Sequence, residues 1–169
     1  MNTADLNRRL ESLLRLGTIA EVDHAAHKIR VQSGDLKTNW LDWPAEIGRN
    51  YTRWRPLRIG TQVLLGCISG DPAQAQIIGM LYTDAFNTPS DDPDIDLIQF
   101  DDGSYIKHTH SANKLEFHSA GELRLSGESI RILGPVTQTG GDMTSDGVSA
   151  QHHKTTGVVA GTDLSGDPQ

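Results

Sequence analysis

From Leu97 to Val148 the sequence runs in short stretches with one or two apolar side chains each, and every stretch is ended by turn residues. The apolar positions are Leu97, Leu115 and Phe117, Leu123 and Leu125, Ile130 and Ile132, and Val136. The punctuators are Asp102-Gly103, Ser111-Ala112-Asn113, Ala120-Gly121, Ser126-Gly127, Gly134-Pro135, Gly140-Gly141 and Asp146-Gly147, at intervals of about six to ten residues. Alternation broken at that interval describes a β-helix. One or two apolar side chains per run are too few for the interior of a single-chain solenoid. Three chains wound about one axis bring three copies of each side chain together. Residues 97–150 are therefore expected to form one third of an intertwined, triple-stranded β-helix, or β-prism, in a homotrimer.

The rest of the chain is organised differently. With 36% hydrophobic and 5% aromatic residues in 169, there is material for one ordinary core. Leu6, Leu10, Leu13 and Leu14 fall at helical spacing, with Thr3 or Asp5 to cap and Gly17 to stop, so residues 1–16 are read as a short amphipathic helix. Short β patterns follow at 17–22, 28–32, 61–69 and 76–82, parted by Ser33-Gly34-Asp35, Arg58-Ile59-Gly60 and Gly70-Asp71-Pro72. Such density of short strands suits a small Greek-key barrel of the OB type over 17–83. Residues 84–96, with Pro89, Pro93 and Asp91-Asp92, read as an acidic linker, and 151–169 as the end of the β-helix. The fold class is all-β apart from the helix.

Net charge and missing motifs remove several functions. The formal charge is −7, or roughly −21 for three copies, which repels phosphate polymers and anionic headgroups. No apolar run is long enough to span a bilayer, and Met1-Asn2-Thr3-Ala4-Asp5 has no signal-peptide character, so synthesis in the cytoplasm is expected. Cys67 lies in an apolar run and reads as a small buried hydrophobe. There is no Gly-x-Ser-x-Gly, phosphate-binding glycine loop or His-Glu-x-x-His, and the acids of 91–102 have nothing to desolvate them. No enzyme is expected.

Two groups of residues invite a functional reading. Trp40, Trp43 and Trp54 stand among several arginines, a composition that stacks bases in some OB folds. On an acidic chain they are better read as closing the barrel or a subunit contact. His108-Thr109-His110 has ligand spacing, yet beside Tyr105, Ile106 and Lys107 it reads as an ordinary strand with surface histidines. His24 and His27 read as turn residues.

The order of parts is informative: helix, OB-like barrel, acidic linker, glycine-punctuated prism, then Gly147-Val148-Ser149, histidines and a final Gly166-Asp167-Pro168-Gln169. It resembles the baseplate assembly protein V, or central membrane-piercing spike, of contractile-tailed phages and R-type pyocins, over nearly the whole chain. The resemblance implies a homotrimer built into the virion or tail-like particle. Its barrel end would join the tail-tube hub and baseplate proteins, and its point would face the target outer membrane, without nucleic acid or a small-molecule substrate. It also implies an iron ion at the tip, held by a His-x-His pair from each chain, whose alternate positions face one way. Here His153 takes the first place while Thr155 stands in the second, so His153 and its neighbour His152 are the candidate ligands. Relatives with a lysozyme domain carry it between barrel and β-helix; the stretch from Tyr82 to Ile95 is too short for one.

Two other readings compete with the spike. One is an OB-fold module binding nucleic acid or carbohydrate through Trp40, Trp43 and Trp54, with a flexible C-terminal tail. The other is a small metalloenzyme built on the histidines.

Overall fold

The computed structural model describes residues 2–152. It falls into two compact units, 1–121 and 122–169, described separately below.

The chain enters through α1 (Thr3–Glu11), capped by Asn2, whose Oδ1 accepts from the Ala4 N–H at 3.2 Å. Asp5 pairs with Arg8 and Arg9 along the exposed first turns, at 2.8 and 3.2 Å. The helix is shorter than its leucine spacing suggests. It ends at Ser12, and Leu14 already belongs to β1 (Leu14–Asp23). Antiparallel pairing of Leu14 through Thr18 with Gly66 through Gln62 supplies backbone partners that a longer helix would forgo.

Five further strands surround β1: β2 (Lys28–Ser33), β3 (Leu36–Lys37), β4 (Leu41–Asp42), and, after the small pair β5 (Glu46–Ile47) and β6 (Thr52–Arg53), β7 (Gln62–Cys67) and β8 (Ala75–Leu81). The hydrogen-bonded order is β3-β2-β1-β7-β8, with β4 also on β2. Strict alternation buries Ile29, Val31 and Ser33 on β2 and Val63, Leu65 and Cys67 on β7. With Ile19, Leu41, Leu57 and Ala75 these apolar residues form the core, against which Val22, Trp43, Ile77 and Met80 pack. Thr38 is buried among them with a role, its Oγ1 accepting from Val31 N–H at 2.9 Å. Extra residues bulge β1 near Ala20 and β8 near Ile78, bending the sheet.

The expected barrel is open in its hydrogen bonding, since β8 and β3 remain edges. The segment that would close it carries Pro44 and Pro56 and affords only the two-residue strands β5 and β6. Side chains bridge the gap in their place: Trp43 packs on the core, and its Nε1–H donates to the Arg55 carbonyl at 3.2 Å.

Gly17 is not a helix stop. It sits buried within β1, where a Cβ would overlap Val31 Cγ1 and stand 2.8 Å from the Gln32 carbonyl oxygen. Gly17→Ala is expected to cost about 1–3 kcal/mol as β1 and β2 are forced apart. Urea titration reads this as an earlier midpoint at unchanged slope.

The expected linker is tied down near both ends, by Phe86 at its start and, close to its end, by Asp94, which accepts from the backbone N–H groups of His110 and Ser111. Phe86 lies under the Arg58 guanidinium, 5.9 Å from it, and Arg58 also pairs with Asp101 at 2.8 Å. The next strand begins at Ile95, inside the expected linker, and the division between compact units falls after Gly121. β9 (Ile95–Gln99), β10 (Tyr105–Thr109) and β11 (Lys114–His118) make an antiparallel sheet in the order β11-β10-β9.

In the second unit, β12 (Thr144–Ser145) and β13 (Val148–Ser149) form a hairpin whose turn, Asp146-Gly147, has φ of 49° and 80°. No regular strand is formed between Glu122 and Met143. The β-helix expected over 97–150 is not seen among the described residues of the single chain, which form only the β12–β13 hairpin after Gly121. No helix among them is long and apolar enough to cross a membrane.

Candidate functional site

Side-chain alternation divides the β9–β11 sheet into two unlike faces. Ile98, Ile106 and Phe117 form one cross-strand row, and Asp96, His108 and Leu115 the next, all on the same face. Ile98, Leu115 and Phe117 are exposed there, as is Phe100 just beyond β9. The opposite face is self-sufficient. Glu116 holds Lys107 at 2.9 Å and Lys114 at 2.8 Å, and Tyr105 stacks on His118 with ring centroids 4.9 Å apart. The apolar face is the one lacking cover.

At one end of that face the sheet brings together residues that are distant in sequence. Asp96 lies directly across from His108, and His110 follows in the turn just past the end of β10. His110 Nε2 stands 3.0 Å from Asp96 Oδ2, and the rings of His108 and His110 meet edge to face at 4.7 Å between centroids. One donor atom from each of the three lies within 4.8 Å of the others. The backbone is pinned at this point, with His110 N–H donating to the Asp94 carbonyl at 2.9 Å and Ser111 N–H to the Asp94 carboxylate at 3.0 Å. The sequence spacing showed the two histidines; Asp96 became their partner only through the β9/β10 register.

The tryptophans do not act as one group. Trp43 and Trp54 stack at 4.9 Å, with His24 beside the first ring at 5.6 Å and His27 edge-on to the second at 5.1 Å. Trp40 stands under the Arg30 guanidinium at 5.7 Å. Arg53 and Arg55 both pair with Glu46, at 3.2 and 3.1 Å, so these two cations beside the stack are already engaged. The stack fastens the 43–55 segment to the barrel, and His24 and His27, in the turn between β1 and β2 as the sequence suggests, frame it.

Of the expected tip ligands, His152 is exposed, its N–H donating to Ser149 Oγ at 2.6 Å, and His153 lies outside the described residues. Among the described residues no group of three potential ligands includes His152. Adjacent histidines on an extended strand diverge, so this pair does not match an alternating one.

Hydrogen bonds from Lys37 hold Glu21 below the usual carboxylate range; those from Lys114 and Lys107 do the same for Glu116, and Ser104 for Asp102. Burial pushes the Cys67 thiol up, away from a reactive thiolate. Because the folded-state carboxyls are lowered, their stabilisation is full above the unfolded value and is lost as pH falls through the folded one. In chelator-treated buffer the melting temperature is expected to hold from pH 7 to about 5 and to drop only below about pH 4. A fall completed above pH 5 would contradict this assignment.

Comparison with known proteins places these features in context. Residues 15–82 match the type VI secretion system/phage-baseplate injector OB domain. The spike protein of Escherichia phage P2 is 32% identical over 139 residues, which make up 82% of this chain and 63% of that protein. The chain thus spans less than two thirds of that relative.

Proposed function

Because the chain belongs to the phage-baseplate injector family through its OB domain, we propose that it is a structural spike component of a contractile-tail baseplate, working as a homotrimer. The observation that carries the proposal is the run of apolar side chains left in solvent by a single chain. Leu125 and Ile132 are 70% and 67% exposed, and Leu123, Ile130, Val136 and Val148 are exposed with them. The apolar face of β9–β11 adds Ile98, Leu115 and Phe117. Burying a side chain of this size stabilises by about 1.5–3 kcal/mol, and an acidic, otherwise polar chain gains nothing by displaying so many. Their occupants are two further copies: threefold association sets each row against its own equivalents and gives residues 123–137, which form no regular strand in one chain, neighbouring strands to pair with.

The role is mechanical. The barrel end joins the hub and baseplate, and the C-terminal prism is driven into the outer membrane when the sheath contracts. No catalytic step is assigned to this role. Iron at His152 and His153 enters only as a three-chain site. Elemental analysis of the wild type beside a His152→Ala/His153→Ala variant tests it, and equal iron in both discards it.

Antibody to the chain, applied to tails from cells that encode it, is expected to label the baseplate end in electron micrographs. Label along the sheath, or tails left bare while the protein stays free, contradicts the proposal.

A further inference from the structure

We propose that Asp96, His108 and His110 form a divalent transition-metal site, separate from the tip, that clamps β9 to β10 at the end of the apolar sheet face. Two imidazoles and one carboxylate on one side of a sheet are a borderline-soft, tridentate set suited to zinc or ferrous ion, with water filling the open positions. Donors bound to zinc at about 2.0–2.2 Å stand roughly 3.0–3.5 Å apart. The 3.0 Å between His110 Nε2 and Asp96 Oδ2 already fits, and the third donor, within 4.8 Å, closes the difference by side-chain rotation.

The surroundings favour a site over a chance meeting of surface residues. Asp96 and His108 face each other by direct cross-strand pairing, and His110, in the turn just past β10, is held by its backbone N–H on the Asp94 carbonyl, so the backbone sets all three in place. The neighbouring acid, Asp94, is committed to Ser111 and braces the backbone at His110. His108 is half-buried beside Leu115, which shields one side from water. In a bare sheet the same contacts amount to one exposed Asp96–His110 pair, which is worth little by itself.

The test is zinc titration of the full chain, stripped with chelator, against a competing chromophoric indicator. Wild type and the His152→Ala/His153→Ala variant are both expected to bind one zinc per chain at this site. Asp96→Asn is expected to weaken it at least tenfold, and His108→Ala/His110→Ala to abolish it. Equal stoichiometry and affinity in wild type and the His108→Ala/His110→Ala variant would overturn the proposal. Because variants can unfold, diethylpyrocarbonate labelling of the wild type provides a second reading. Zinc is expected to protect His108 and His110 while leaving His24 reactive, and modification of His108 and His110 undiminished by zinc would also overturn it.

Discussion

Ile132→Asp is expected to convert the assembled protein into monomers. In a threefold prism the substitution places three carboxylates where three apolar side chains met. Lost burial alone amounts to roughly 5 kcal/mol or more across the three copies, and desolvating the charges adds to it. At 1.4 kcal/mol per tenfold, association weakens by more than about a thousandfold. Arg131→Asp, one place along, changes the charge further but falls on the outward side of an alternating run, and is expected to leave the oligomer intact. Size-exclusion chromatography with light scattering reads both. If Ile132→Asp stays assembled as firmly as Arg131→Asp, the exposed rows do not face an axis.

Leu65→Ala is the second large effect and concerns the other half of the chain. Leu65 is fully buried at the centre of β7, between β1 and β8, in contact with the cluster that includes Ile19, Val31 and Val63. Truncation to alanine in such a site costs about 2–5 kcal/mol, because the surrounding sheet collapses only partly onto the void. For a domain of this size that lowers the melting temperature by roughly 10–20 °C. Leu64, its neighbour, points to the half-exposed side, so Leu64→Ala is expected to cost much less. Equal losses at the two positions would contradict the alternation on which the core description rests.

Much of the fold was legible because turn chemistry limits where strands can lie. Ser33-Gly34 and Gly70-Asp71-Pro72 bracket β2, β7 and β8 to within a residue or two of their sequence-based bounds. The end of α1 was not legible. Leu13, Leu14 and Leu16 satisfy both a helical stripe and the start of a strand, and only pairing with β7 decides between them. Gly17 misled for a related reason: a glycine marks a helix stop or a close approach of backbones, and the second applies here. Phe86 was lost among the acids of 84–96, although that single ring fastens the segment to Arg58.

The candidate site divides along the same line. His108 and His110 announce themselves by spacing, but their meaning changes once Asp96 is set opposite them, and cross-strand register is not written in local sequence. The tryptophans had a common composition and separate fates, since Trp43 and Trp54 are joined by the chain reversal at β5–β6 while Trp40 lies beside Arg30. The apolar rows of 97–148 were legible as a deficit, an interior without enough side chains to fill it.

That deficit makes oligomeric mass the most direct test of the central claim. Sedimentation equilibrium of the full chain at micromolar concentration is expected to give a single species at three times the 18.4 kDa of one chain. A stable 18.4 kDa monomer with Leu125 and Ile132 still in solvent would contradict the trimeric spike.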